Sequence, residues 1–311
     1  MIVRWGLEEL PGVLEDVAID RPLLVASERW DRLAVPAPAR WSEIPSERVA
    51  APPDVDGILA VGGGSAIDTA KAVSAATSLP LVAVPTTYSG SEWTAYFGMR
   101  DEERGAKTGG SGANTVAVVY EPALTLDLPR EETVGTAMNA LAHCAEALYA
   151  GPCEDASTGA TLIARALPVV VEDGGDHAAR TQLLEGAMHA GIALAARGLF
   201  LAHAMAQALG GRYGASHGGL NALCLAPALR FNEPVVPDAI ATLASSLKVT
   251  DAPTRVEGLA RLGGFERLRD LGIPDTELPV VAGQIADRPG ARSNPRPASA
   301  EEIEALLRSV W

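Results

Sequence analysis

Basic residues are scarce in this chain: 25 Lys+Arg stand against 39 Asp+Glu, a formal net charge of −14 with histidine neutral. So acidic a chain repels phosphate backbones, and no local Lys/Arg cluster reverses the field. A sequence-independent nucleic-acid binder is thereby excluded, and anionic membrane surfaces are disfavoured for the same reason. Cysteine is scarcer still. Cys144, Cys153 and Cys224 form an odd, widely spaced set, neither a disulfide framework nor a paired metal-binding pattern, and they read as reduced thiols of a cytoplasmic protein. Also missing is any run of about 18 uncharged apolar residues suited to a bilayer. The first residues, MIVRWGLEELPGVLED, carry acids and lack a continuous apolar stretch, so no targeting segment is expected there. Low complexity is confined to AVPAPAR (34–40) and AAPPD (50–54), connectors too short to link domains.

What is present is ordinary globular composition, 48% hydrophobic and 21% charged, enough to bury a core. A length of 311 residues suits two domains. Four short apolar runs punctuate the first part: PLLVA (22–26), GILAV (57–61), LPLVAV (79–84) and TVAVV (115–119). They are too continuous for solvent-facing helices and fit buried strands of a parallel sheet followed by strand-to-helix turns. After Pro129 the texture becomes Ala/Leu-rich at helical spacing, as over 131–150 and 158–171, with Gly and Pro breaks. The reading is an α/β domain over 1–128 and an all-helical domain over 129–311. A site in the cleft between them is the expectation.

Three constellations carry chemistry. Gly62-Gly63-Gly64-Ser65, with Asp68 one helical turn on, lies between a strand and a helix. Glycines there let a diphosphate approach the backbone at the positive end of a helix dipole, although a tight turn alone uses the same residues. At the end of the next strand, VPTTYSGSE (84–92) offers Thr86, Thr87 and Ser91 to line a cofactor, or to make Ser/Thr turns. Asn139 and His143, four apart on one helix face, are followed by His203 and His217, a set able to converge. A satisfied core histidine is the alternative for each, and the reading kept for His177 and His189.

GGGSAIDTAKA, VPTTYSGSE, MNALAHCAEALYA, HAMAQALGGRYGASHG and NPRPASAEEIEALL together resemble the iron-containing alcohol dehydrogenase superfamily. Within it, TTYSGSE, MNALAH and NPRP are most similar to the maleylacetate reductase branch. The resemblance implies a dinucleotide-binding α/β domain followed by a helical domain. It implies NADH or NADPH as cofactor, with Gly62, Gly63, Gly64, Ser65, Asp68, Thr86, Thr87 and Ser91 at the nucleotide-binding positions and Lys107 near the nicotinamide ribose. It also implies a cytoplasmic homodimer and a small anionic carbonyl substrate, maleylacetate or a related unsaturated oxo acid, reduced to 3-oxoadipate. Metal-dependent relatives place Asp, His, His and His where this chain has Asn139, His143, His203 and His217. Losing the only anionic ligand weakens charge neutralisation at a divalent ion, and the branch pattern implies no required metal. Asn139, His143, His203, His217 and Lys107 are then the catalytic candidates. One histidine acts as electrophile toward the developing oxyanion and another as the acid that protonates carbon. Lys107, Arg100 and Arg212 are candidate cations for the dianion.

Two departures stand out. Only about 30 residues separate Ala26 from Gly57, and they include Pro36, Pro38, Pro45, Pro52 and Pro53, so the helices that relatives carry there are expected to be missing or reduced to single turns. The ribose-recognising segment that separates NADH from NADPH lies in that stretch. Gln207 replaces a histidine that in relatives is assigned to proton relay, and an amide cannot titrate near neutrality. A repurposed reaction without hydride transfer, or a non-catalytic homologue, are the competing readings of these losses.

Overall fold

The computed structural model describes the backbone of residues 1–33, 35, 37–46, 49–101 and 106–311, and their side chains except at 99–101 and 106–108. The chain divides into two compact units, Met1–Met99 with Thr108–Asp127, and Arg100–Lys107 with Leu128–Trp311.

The first part of the chain holds β1 (Ile2–Trp5), α1 (Leu10–Asp16), β2 (Pro22–Val25), β3 (Ala39–Trp41), β4 (Gly57–Gly62), α2 (Gly64–Thr77), β5 (Pro80–Pro85), β6 (Phe97–Asp101), β7 (Ala106–Gly110) and β8 (Asn114–Tyr120). Six of these strands pair in parallel in the order β1-β8-β5-β4-β2-β3, and β6 with β7 forms a separate two-stranded sheet. The parallel sheet predicted from the apolar runs is therefore present. Strand alternation explains why those runs, Thr115 apart, are wholly apolar. Leu59 and Val61 of β4 join Leu24, Val82, Val84 and Val119 in a cluster with Leu10 and Val13 of α1. The intervening Ile58 and Ala60 join Leu23, Val25 and Leu81 against Ile67, Ala70 and Val73 of α2. Both faces are covered, so both sets of side chains are apolar. Between β2 and β4 the described residues form one 3₁₀ turn, Glu28–Trp30, and the three-residue β3, with no α-helix. Proline-rich sequence supplies too few consecutive backbone donors for more.

From Leu128 on, the second unit is helical: α3 (Arg130–Ala147), α4 (Glu154–Glu172), α5 (His177–Arg197), α6 (Leu201–Tyr213), α7 (His217–Asn232), α8 (Pro237–Ser246), α9 (Ala252–Arg261), α10 (Leu278–Ala286), α11 (Pro289–Arg292) and α12 (Ala300–Ser309). α3 packs against α4, α5 and α7 and, Thr136 apart, is buried from Thr133 to Ala147. Its small residues permit that approach. A Cβ added at Gly218 of α7 would sit 2.4 Å from the carbonyl carbon of Gly135, so only glycine fits where these helices cross. No single helix among the described residues is long and apolar enough to cross a membrane.

Candidate active site

In the first unit, Gly62 of β4 pairs in register with Pro85 of β5, so the glycine turn and the VPTTYSGSE loop leave the sheet side by side at the strands' carboxyl ends. This is where open α/β sheets bind ligands. Gly62 has φ +154°, and a Cβ there would lie 2.6 Å from the Ala66 Cβ. At Gly63 a Cβ would meet Thr87 Cγ2 at 2.8 Å, and the Thr86 N–H donates to Gly62 O at 3.0 Å. The two loops thus meet closely, with no room for a Cβ at Gly62 or Gly63 unless Ala66 or Thr87 moves. Gly63 is the N-cap of α2 and supplies no capping side chain, leaving the first helical N–H groups for a ligand. The hydroxyl of Thr87 is buried and has no hydrogen-bond partner among the described residues. Open amides, a positive helix end and an orphaned hydroxyl around a cradle that a Cβ would fill suit a dinucleotide's diphosphate.

Asp68 and Ser91 are placed differently from the glycines. Ser91 Oγ donates to Asp68 Oδ1 at 2.6 Å, the Gly98 N–H donates to Asp68 Oδ2 at 3.1 Å, and the Lys71 ammonium donates to Ser91 Oγ at 2.9 Å. Lys71 is wholly buried and also donates to Thr94 Oγ1 and Tyr96 O, each at 2.9 Å. Their polar atoms face one another, tying α2 to the loop and β6. Ser65 is exposed at the start of α2. Lys107 lies on β7, but its side chain, like that of Arg100, is outside the described residues. Beneath the loop, burial pushes the Glu92 carboxyl up despite the phenolic hydrogen bond from Tyr120 at 2.7 Å.

In the second unit, three helices assemble the histidines. α3 presents Asn139, His143 and Glu146 on one face, at i, i+4 and i+7, and all three are buried. α6 presents His203 and, one turn on, Gln207; α7 opens on His217, with Asn221 one turn on. The rings of His143 and His203 stack 4.7 Å apart at 13°, and His217 lies 6.1 Å from His203. The convergence expected of Asn139, His143, His203 and His217 is thus realised within α3, α6 and α7. His177 is exposed, and His189 meets Asp155 Oδ1 at 2.7 Å, away from the cluster.

Two residues that sequence reading missed organise the cluster. Glu146, fully buried, accepts from the N–H groups of Phe200 and Ala202, each at 2.8 Å, and from that of His203 at 3.4 Å. It therefore caps α6 from another helix, because the N-cap Phe200 has no capping side chain. Its Oε2 also lies 2.7 Å from His203 Nδ1. A carboxylate at Nδ1 fixes the proton there and orients the ring. His203 Nε2 is buried without a hydrogen-bond partner among the described residues. Asn221 is the other: its Nδ2 donates to Asn139 Oδ1 at 2.8 Å and to His217 Nε2 at 3.2 Å. The signal for both was helical spacing from a named histidine, three residues after His143 and four after His217.

These contacts also decide how well a metal fits. Asn139 Oδ1 and His217 Nε2 already accept from one amide, and stacked rings hold their lone pairs in nearly parallel planes that do not converge. Among the described residues no group of three or more His, Cys, Asp or Glu side chains is arranged to hold an ion. As the side chains stand, the Asn221 amide faces the Nε2 lone pair of His217 that a divalent cation would need. Arg212, a candidate cation, is committed to Glu277 at 2.6 Å. A different cation stands nearer the histidines: Arg288 Nη1 donates to Gln207 Oε1 at 3.3 Å, half-buried and with no carboxylate partner among the described residues.

The family model described as "Fe-containing alcohol dehydrogenase family, C-terminal" matches residues 133–311, and that described as "Iron-containing alcohol dehydrogenase" matches 47–121. A maleylacetate reductase of Pseudomonas knackmussii is 35% identical over 98% of this chain and 93% of its own length. Maleylacetate reductase 1 of Rhodococcus opacus is 35% identical over 91% and 80%. Among solved structures, an iron-containing alcohol dehydrogenase from Corynebacterium glutamicum superposes with a TM-score of 0.91 at 28% identity, covering 100% of this chain and 94% of that one. The maleylacetate reductase of Rhizobium sp. strain MTP-10005 gives 0.87 at 29% identity, covering 100% and 95%.

Proposed function

The chain belongs to the iron-containing alcohol dehydrogenase family, and from that premise we propose that it is an NAD(P)H-dependent reductase of maleylacetate, forming 3-oxoadipate without a required metal. The relatives named above support the substrate, and the observation that carries the chemistry is His203, a buried imidazole held at Nδ1 by Glu146 with Nε2 open.

Gly62, Gly63, Gly64 and Thr87 would hold the diphosphate of the dinucleotide, which when bound would supply the hydride for the carbon–carbon double bond. Asp68, Ser91 and Lys71 act one layer out, fixing the loop that carries Thr86 and Thr87. Reduction moves an electron pair onto the ketone oxygen as an enolate, and a preorganised donor must meet it. The histidine cluster provides one. His203 is the member whose charge is balanced across the ring: a proton carried at Nε2 is matched by the Glu146 carboxylate beyond Nδ1. His143, stacked on it, shields the pair from water, and His217, half-buried, is the most accessible of the three. Protonation of the enolate carbon then completes the reaction.

Maleylacetate is a dianion meeting a chain of net charge −14, so long-range attraction is absent and a local cation must bind it. Arg288 suits that part. Burial pushes its guanidinium below the ordinary value, and among the described residues its side-chain hydrogen bond goes to the neutral amide of Gln207, one helical turn from His203. A substrate carboxylate would complete its hydrogen bonding. Gln207, in place of a titratable residue, orients that guanidinium instead of relaying protons. A cytoplasmic homodimer is part of the same proposal, with size-exclusion chromatography as its check.

The test is titration of the purified protein with NADH and NADPH, followed by consumption of the reduced cofactor with maleylacetate in the presence of a chelator. Saturable binding and chelator-resistant turnover support the reading. No binding up to millimolar cofactor overturns it and leaves the fold with a reaction that needs no hydride.

A further inference from the structure

We infer that Gly290 is a positioning residue for the reaction: by letting the backbone of α11 lie against the carbonyls that lead into α6, it sets the spacing between the Arg288 guanidinium and the His203 imidazole. A Cβ at Gly290 would stand 2.8 Å from Phe200 O and 3.3 Å from Leu199 O. Both are backbone atoms, which cannot swing aside as the end of a side chain can. The φ of Gly290 is not in the left-handed region, so backbone conformation does not call for glycine, and glycine within a helix is less stable than alanine. Close approach is what accounts for it. Arg288, two residues earlier, is the N-cap of α11, and its carbonyl accepts from the N–H groups of Ala291 and Arg292, each at 3.1 Å. Its backbone therefore moves with α11, while its guanidinium is held to Gln207 of α6 at 3.3 Å. Phe200 in turn gives its own N–H to Glu146 at 2.8 Å, the carboxylate that meets His203 Nδ1. One residue is thus gripped from two sides, by the acid that aims the imidazole and by the glycine that seats the cation.

The far end of the connector between α10 and α12 is fixed as well. Asn294 and Asn232, the last residue of α7, are both buried and exchange amide hydrogen bonds in both directions, at 2.6 and 3.0 Å. The second Nδ2 hydrogen of Asn294 goes to Arg296 O at 2.7 Å, and the Arg296 guanidinium lies 3.9 Å over the Phe231 ring. The stretch from Arg288 to Arg296 is thereby seated on α6 at one end and on α7 at the other. Resting on the reading that Arg288 binds a substrate carboxylate, this role of Gly290 decides how far that carboxylate sits from the proton donor. Carboxylate and ketone oxygen are a fixed number of bonds apart in any one substrate, so the spacing selects among dianions by length: one methylene more or fewer, and the molecule reaches Arg288 or His203 but not both.

The experiment compares wild type, Gly290→Ala, Arg288→Ala and the double variant by KM and kcat for maleylacetate at saturating reduced cofactor. Gly283→Ala on α10 is the control, since a Cβ there meets nothing within 4 Å. The expected result for Gly290→Ala is a KM raised roughly 5–50-fold, as a small misplacement of a binding group produces, with kcat changed less than KM and the Kd for NADH as in wild type. Gly283→Ala matches wild type. Because Gly290 acts through Arg288, the double variant is expected to be no worse than Arg288→Ala alone, whereas an unrelated packing fault would add to it. Thermal melts check folding, and if Gly290→Ala melts early, Asn294→Ala, which frees the far anchor, takes its place in the same cycle. With KM raised in Arg288→Ala, a folded Gly290→Ala of wild-type KM, or an additive double variant, would overturn the inference and leave the reading of Arg288 standing. A wild-type KM in Arg288→Ala would overturn that reading and the inference with it.

Discussion

Glu146 Oε2 lies 2.7 Å from His203 Nδ1, and the same carboxylate accepts the N–H groups of Phe200 and Ala202 that open α6. One buried acid therefore starts the helix and aims its histidine. Glu146→Gln keeps an acceptor but loses the charge that balances a proton on the ring. We expect kcat to fall about 10–100-fold, the usual cost of removing an orienting partner, with the KM for maleylacetate changed little. A fall confined to KM would contradict the positioning role. Glu146→Ala leaves buried N–H groups unpaired at about 1–3 kcal/mol each, so its Tm is expected to drop by several degrees.

Gly63→Asp places a Cβ 2.8 Å from Thr87 Cγ2 and a negative charge at the start of α2, where the diphosphate is to sit. The Kd for NADH, read by tryptophan fluorescence, is expected to rise at least tenfold, a loss of about 1.4 kcal/mol or more. An unchanged Kd would move the cofactor elsewhere.

Arg288→Ala removes a half-buried cation whose one side-chain partner among the described hydrogen bonds is Gln207 Oε1 at 3.3 Å. A hydrogen bond to a charged group is worth about 1.5–3 kcal/mol, so KM for the dianion is expected to rise roughly 10–100-fold. Cofactor affinity measured without substrate stays as in wild type. Equal KM values would exclude Arg288 from the substrate's carboxylates.

Glu92 gives a pH dependence of stability. Its carboxyl is pushed up from 4.5 by burial, so the folded state holds a proton that the unfolded chain has released. The stability this contributes is complete below the ordinary value and is lost as pH rises through the raised one. Glu92→Gln keeps a neutral side chain throughout, and its Tm is expected to gain on wild type as pH rises over that window. Parallel pH profiles for the two proteins would show that Glu92 titrates as in the unfolded chain.

Much of this site was legible along the chain, for particular reasons. The glycine turn was visible because Gly62 has a positive φ and a Cβ on Gly63 would strike Thr87, and such positions leave their mark as glycine. Asn139 and His143 were visible because a helix repeats its faces every three to four residues. By the same spacing Glu146 and Asn221 were within reach, yet a glutamate or asparagine on a helix is usually a solvated residue, and nothing local marks these two as buried. Arg212 was named from the sequence as a cation for the substrate, and Arg288 was passed over. The fold gave one a glutamate and the other a neutral amide.

Local physics thus fixed the elements. Uninterrupted apolar runs became strands covered on both faces, and prolines between Ala26 and Gly57 left room for a 3₁₀ turn and a short strand. What the tertiary structure alone decided is which polar atoms meet. α3 lies far from α6 and α7 in sequence, and only its packing on them gives the Asn221 amide to Asn139 and the Glu146 carboxylate to His203. Hydrogen bonds act over about 3 Å, and the chain does not encode that proximity until the helices are stacked.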